Sequence, residues 1–554
     1  MKRTIFYTLA LAFLSVCNAQ DKTVNANAVN ASEAPHKPKL VVGIVVDQMR
    51  YDYLTRFEKK YGDGGFMRLI HDGFNCKNNH FNYIPTYTGP GHASVYTGTT
   101  PKYHGIIANN WYDKQSKEMI YCVADTSYQP VGTSNKYSSV SPQRMLVTTV
   151  TDELRRSSEG QGKVIGIALK DRAAALPAGH AANGAYWFQG KDEGHWVTST
   201  FYMTELPKWV RDFNATDTAK NYLKTWDTYY DISTYTESGS DLNQFEGGFK
   251  GKETATFPYN LAKLQKDNKG FDILKSTPYG NSLTADFAIA ALDGEALGQD
   301  ATTDFLAVSF SSTDYVGHNF GVNSKEIEDT YIRLDKDIER LLNALDAKVG
   351  KGNYTVFLTA DHGAVDVPAY LKTMRIPADY FDSKAFKKKV NDFVASRYKT
   401  DDLIVSISNN QIFLDREKLS ALDFDLDDVQ EDIVNEIINY NHVDKAYTAT
   451  TMSSEYFGSG IEALLQKGFN QKRSGDVLYV LQPAVISYSK TGSTHGSGFN
   501  YDTHVPLIFY GSGVKQGSTN TKTEITDAAP TISALLGISF PSGAIGTPLN
   551  FIFN

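Results

Sequence analysis

Three apolar runs end in acidic or acid–histidine residues: Asp47 follows VVGIVV, Asp314 and His318 follow FLAVSF, and Asp361 and His362 follow YTVFLT. Carboxylate and imidazole donors in combination suit a divalent transition metal, zinc first and manganese next. Singly, each is an ordinary turn former or helix cap. Three such clusters after three buried runs place ionisable groups where burial demands compensation, and a metal site answers that demand. A hydroxyl nucleophile is the natural companion, because coordination activates an otherwise weak alcohol. Thr88 lies in PTYTGPGHASVYTG, where a Pro/Gly turn leads into a short helical run. There the helix dipole and free N–H groups favour an alkoxide and an incoming phosphate. Without the metal candidates, Thr88 would read as a helix cap.

Two further sets have open readings. Lys170 and Arg172 follow the run VIGIAL at i and i+2, so an extended chain would point both to one side. Two cations on one face suit a phosphoryl group with two or more charged oxygens, and a solvated basic edge is the alternative. His495 in STHGSG and His504 in DTHVP are equal candidates for one more ligand.

Residues far apart in sequence can meet only if the fold gathers them. Leu40–Val46, Val164–Leu169, Phe305–Phe310, Tyr354–Thr359 and Val505–Tyr510 are nearly continuous apolar runs, the pattern of strands buried on both faces of a parallel sheet. Ile327, Tyr331, Leu334, Ile338, Leu341 and Leu345 form a stripe at helical spacing between two of them. Strand, helix and strand in that order predict a doubly wound α/β fold, mostly parallel, with helices on both faces. Ligands in such sheets gather at the carboxyl ends of the strands, where these clusters fall. Segments 186–278 and 378–477 break the rhythm and are expected to be insertions forming a cap region. The second carries a strand at Gln411–Leu414 and a helix with Val429, Ile433 and Ile437.

At 554 residues, 41% hydrophobic and 21% charged, the chain is a folded globular protein. Its net charge of −8 excludes a general electrostatic footprint for nucleic acid. Met1-Lys2-Arg3, the apolar run Ile5–Val16 and Cys17-Asn18-Ala19 have the three parts of a secretory signal peptide, residues 1–19, with 20–38 a flexible leader before a catalytic domain at 39–554. Lipidation at Cys17 is the lesser alternative. The mature chain is then expected in the periplasm or outside the cell, with no membrane span and as a monomer. Export leaves Cys76 and Cys122 as the only thiols, and an oxidising compartment predicts a disulfide between them.

The segments VVDQMR, PTYTGPGHASVYTG, IIANNWYD, LKDRAA, STDYVGH, TADHGA and STHGSGFNYDTHVPLIF resemble the alkaline phosphatase superfamily. They are most similar to its bacterial branch of secreted, threonine-dependent, phosphate-irrepressible alkaline phosphatases. The resemblance runs from about Leu40 to the closing segment ITDAAPTISALLGI. It implies two zinc ions, one held by Asp314, His318 and His495 and one by Asp47, Asp361 and His362, with Thr88 on the second. It selects His495 over His504, and it assigns Asn109, Lys170 and Arg172 to the phosphoryl oxygens of a small-molecule phosphate monoester. The implied mechanism passes through a phosphothreonine. A phosphodiesterase or nucleotide pyrophosphatase is the alternative within the superfamily, and a non-catalytic, zinc-stabilised secreted binding protein is the alternative outside it.

Overall fold

The computed structural model describes residues 37–191 and 193–553. The expected signal peptide and most of the expected leader lie outside the described residues. Among those residues the central sheet has ten strands, in the spatial order Gly517–Thr519, Phe74–Cys76, Leu507–Gly511, Tyr354–Thr359, Leu40–Val46, Asp304–Phe310, Val164–Ala168, Gly184–Gln189, His195–Ser199 and Pro130–Val131. The five from Tyr354–Thr359 to Gly184–Gln189 are mutually parallel. Every residue of Leu40–Val46 is buried, on both faces of the strand, so the sheet is covered on both sides. Leu507–Gly511 pairs antiparallel with Tyr354–Thr359, so the expected parallel strand at 505–510 runs the other way.

Register decides where the chemistry emerges. Val46 pairs with Phe310, Val45 with Thr359, and Ser309 with Ala168. These strands therefore end level, and the residues after them leave the sheet at one edge. The amphipathic stripe forms the helix Lys325–Leu345, which packs on the helix Pro278–Gly294. The closing segment forms the helix Ala528–Leu536.

Gly184–Gln189 and His195–Ser199 belong to the central sheet, so the irregular segment begins after Ser199 and not at Tyr186. Aromatic and β-branched residues fit them to a buried sheet edge. The later segment builds a four-stranded antiparallel sheet of Ile404–Ser408, Gln411–Leu414, Val477–Leu481 and Val443–Thr448. Phe386 and Val390 of the helix Ser383–Tyr398, and Val429, Ile433 and Ile437 of Leu426–Ile437, form its own apolar cluster.

The expected Cys76–Cys122 disulfide is not formed: both are free, buried thiols. Cys76 packs in the main core and Cys122 in a separate cluster with Trp111 and Ile107. Burial pushes each thiol up to about 12, which keeps both protonated and unreactive.

Candidate active site

Thr88 opens the wholly buried helix Thr88–Thr97, preceded by Tyr87 in an extended conformation, and no side-chain cap is made. The expectation that Thr88 heads a helix holds, and its hydroxyl is not spent on capping. His92, one turn on, pairs through Nδ1 with the Thr88 carbonyl oxygen at 2.9 Å and through Nε2 with Ser309 Oγ at 2.9 Å. Gly91 is required for closeness, since a Cβ there would sit 2.3 Å from the Asp361 carbonyl oxygen. The helix start is thereby pressed onto the strand end that carries Asp361.

The acidic and imidazole candidates form two groups, Asp47/Asp361/His362 and Asp314/His318/His495, each with ligand atoms within 4.8 Å of one another. In the first, Asp47 Oδ1, Asp361 Oδ2 and His362 Nε2 are buried with no hydrogen-bond partner. His362 Nε2 lies 3.6 Å from Asp47 Oδ1 and 3.5 Å from Asp361 Oδ2. Ligands about 2.05 Å from a tetrahedral zinc stand about 3.3 Å apart, so this set of orphaned lone pairs fits one ion. In the second, His318 Nε2 and His495 Nε2 approach Asp314 Oδ1 at 3.2 and 3.7 Å.

All three imidazoles are oriented alike. The Nδ1 atoms of His318, His495 and His362 lie 2.7, 2.7 and 3.0 Å from the carbonyl oxygens of Ser493, Thr86 and Gly363. A carbonyl can only accept, so each Nδ1 carries the proton and each Nε2 is left as a donor to a metal. The rings of His362 and His495 stack with centres 3.4 Å apart, which joins the two groups.

The charge balance also calls for cations. Burial pushes the Asp361 carboxyl up to about 7 and raises Asp47 well above the carboxylate range, with Asp361 beside it adding to the rise. Burial drives His495 down to about 3 and His362 well below its ordinary value. Asp314 is buried too, yet His318 and Lys170 beside it hold its carboxyl well below the usual range.

Lys170 puts an ammonium at the centre, 2.6 Å from Asp47 Oδ2, 2.5 Å from Asp314 Oδ2 and 3.4 Å from Thr88 Oγ1. Burial opposes its charge, but Asp314 and Asp47 hold its pKa above the ordinary value. Arg172 Nη2 also lies 3.4 Å from Thr88 Oγ1, while Nη1 donates to Tyr121 at 3.1 Å. The extended i, i+2 geometry expected for this pair is not found. Lys170 is the N-cap of the helix Asp171–Ala178 and Arg172 lies in its first turn, so the helix start aims both at Thr88. Asn109 Oδ1 accepts from Gly89 N at 2.7 Å, which leaves Nδ2 as its remaining donor group.

Two residues escaped the sequence reading. Gln48, in the left-handed conformation at φ 63°, donates from N to Asp361 Oδ1 at 3.1 Å and from Nε2 to Asp314 Oδ1 at 2.6 Å, bridging the groups. Asp502 Oδ2 accepts from Gly496 N, Ser497 N and Ser497 Oγ at 3.1, 2.7 and 2.6 Å, and its carbonyl oxygen accepts from Gly363 N at 2.7 Å. It clasps the loop of His495 to the loop of His362. Adjacency to Asp47 was the only available signal for Gln48, and Asp502 had none. His504 stacks between Tyr51 and His80 and meets the Lys77 carbonyl oxygen at 2.9 Å, outside both groups.

The family model of type I phosphodiesterase / nucleotide pyrophosphatase matches residues 41–505. A protein of Myroides odoratus named calcium-transporting ATPase is 47% identical over 530 residues, covering 94% of this chain and 96% of that protein. Alkaline phosphatase PafA of Elizabethkingia meningoseptica is 45% identical over 522 residues, covering 94% of this chain and 95% of that one. The crystal structure of wild-type alkaline phosphatase PafA superposes with a TM-score of 0.91 at 44% identity, covering 94% of this chain and 100% of that one. With the family model matched over residues 41–505 and relatives near 45% identity along nearly the whole length, this chain belongs to the type I phosphodiesterase / nucleotide pyrophosphatase family, within the alkaline phosphatase superfamily.

Proposed function

We propose that the protein is an exported alkaline phosphatase that hydrolyses small-molecule phosphate monoesters. The observation that carries the reading is the meeting of Lys170 Nζ and Arg172 Nη2 at Thr88 Oγ1, each at 3.4 Å, beside two metal-fitting groups. A monoester phosphoryl group carries two charged oxygens, and two buried cations at the nucleophile match that charge; a diester carries one. The alkaline phosphatase names of relatives near 45% identity support the same activity. A solved PafA variant is substituted at a threonine, an asparagine, a lysine and an arginine, the residue types and order proposed here for the reacting centre.

Thr88 Oγ gives up its proton and attacks phosphorus in line, the bond to the ester oxygen breaks, the alcohol leaves with the electron pair and takes up a proton, and a phosphothreonine forms. Water then attacks phosphorus from the opposite side and frees phosphate and Thr88. Lys170, Arg172 and the Asn109 Nδ2 group hold the non-bridging oxygens through both displacements, as preorganised donors where charge develops. Asp47, Asp361 and His362 would hold one zinc ion beside Thr88, and Asp314, His318 and His495 a second. When bound, the ions supply Lewis acidity and lower the pKa of the coordinated hydroxyl and water.

The ATPase in the Myroides relative's name is compatible with this chemistry, because the terminal phosphoryl group of ATP is also doubly charged. Among the described residues no helix is long and apolar enough to cross a membrane.

The test compares kcat/KM on a phosphate monoester and a diester for the wild type and for Lys170→Ala/Arg172→Ala. The wild type should favour the monoester, and the double variant should lose about 10² to 10³-fold or more on it with a smaller loss on the diester. Equal or higher diester activity in the wild type would make the protein a phosphodiesterase.

A further inference from the structure

A cavity of about 570 Å³ opens beside the Asp314/His318/His495 group, with His318 and Tyr315 on its wall and Lys250, Lys269 and Lys275 around it. Tyr315 connects it to the reacting centre, since Lys170 Nζ lies 5.1 Å from the centre of its ring. On another side, Tyr488 stacks on His318 at 5.6 Å between ring centres and donates to its carbonyl oxygen at 3.1 Å.

The lining carries three ammonium groups and two carboxylates, Asp267 and Asp272. Asp272 is taken by Lys275 at 2.7 Å. Among the described residues, Lys250 and Lys269 make no ion pair and are exposed on the rim. Asn268 fixes the Lys250 backbone: Lys250 N donates to Asn268 Oδ1 at 3.1 Å, and Asn268 Nδ2 donates back to the Lys250 carbonyl oxygen at 2.9 Å. Lys269 follows in the left-handed conformation, φ 61°. A positive rim on a protein of net charge −8 runs against the overall field and acts locally on anions that enter this cavity.

We propose that this rim is a second-phosphate subsite, which favours substrates whose terminal phosphoryl group is doubly charged and whose leaving group itself carries phosphate, such as nucleoside triphosphates, cleaved at an anhydride, and sugar bisphosphates, cleaved at an ester. The inference rests on the monoesterase reading. As the Thr88 Oγ–P bond forms and the P–O bond to the leaving group breaks, an ester in a sugar bisphosphate and an anhydride in a nucleoside triphosphate, the electron pair departs on the phosphorylated fragment. Lys250 and Lys269 hold that fragment's remaining phosphate. Flexible ammonium groups suit it, because they act as mobile point charges and impose no bidentate geometry on the leaving group.

The test measures kcat/KM for ATP and for fructose 1,6-bisphosphate, each divided by the value for phenyl phosphate, on the zinc-loaded enzyme at low salt. Lys250→Ala/Lys269→Ala should lower the ratios by about tenfold, at up to roughly fivefold per exposed charge contact, and the difference should shrink as salt screens it. Lys387→Ala removes an equal charge from the exposed face of the helix Ser383–Tyr398 and should leave the ratios alone. A fall in the ATP ratio only assigns the subsite to nucleotides, and a fall in the bisphosphate ratio only assigns it to sugar phosphates. Both ratios within twofold of wild type, or an equal fall with Lys387→Ala, overturn the subsite while the monoesterase reading stands. No turnover of phenyl phosphate by the wild type would sink that reading and the subsite with it.

Discussion

The two metal-fitting groups are built differently. Asp47, Asp361 and His362 leave the ends of adjacent parallel strands and are wholly buried, with three ligand atoms lacking a hydrogen-bond partner. Asp314 and His318 come instead from one turn of the helix Ser312–Phe320, and His495 comes from a loop held by Asp502. His318 and His495 are only partly buried, and His318 faces the lysine-rimmed cavity. Sheet register thus makes a dry, preorganised side next to Thr88, while a helix and a clasped loop make the side that meets solvent and, on the proposed mechanism, the leaving group. An apolar, rigid environment strengthens electrostatics at the first, and access suits the second.

The sharpest way to break this comparison is Thr88→Ala. If Thr88 is the nucleophile beside the buried group, kcat/KM on a monoester should fall by about 10⁴-fold or more, with bound zinc unchanged by elemental analysis. Retention of a tenth of the wild-type activity would detach the nucleophile from that group.

Asp502→Asn tests the clasp. Weakening the hydrogen bonds that hold the His495 loop should reduce zinc affinity at the Asp314 group about 10 to 100-fold, read by competition with a chromogenic chelator. The second ion should remain tight, because the first group owes its geometry to strand ends. Equal loss of both ions would mean that the two groups are one unit.

The smallest effect separates burial from metal binding. His104 is buried away from both groups; Ile106 N donates to its Nδ1 at 3.1 Å, and its Nε2 pairs with Ser94 Oγ at 2.9 Å. Burial lowers it from 6.5 to about 3. A histidine with a depressed folded pKa leaves the unfolded chain binding the extra proton, so its stability contribution is full above pH 6.5 and is lost as pH falls toward 3. His104→Gln should therefore flatten the fall of the melting temperature across that range, with or without zinc. An unchanged acid slope would show that His104 is protonated in the folded protein.

Much of the site was legible before the fold was known. Asp47, Asp314, His318, Asp361 and His362 stand just beyond buried strands, and level strand ends must bring such residues together. The pairing of Lys170 with Arg172 was legible as a pair but not in its geometry, because the helix start at Asp171 replaces the extended chain. Gln48 was hidden because its partners lie 313 and 266 residues away.

Composition alone predicted a Cys76–Cys122 disulfide, and packing overruled it by burying each thiol in a different cluster. The sequence by itself determined the five continuous apolar strands, the helix that begins at Thr88 and the donor types at the strand ends, since local periodicity and residue chemistry are properties of short segments. Tertiary structure alone decided how Lys170 and Arg172 reach Thr88, how Gln48 and Asp502 tie the two groups together, and that a lysine-rimmed cavity adjoins His318. Those are distances between segments, set by strand register and loop clasps that no short stretch of chain contains.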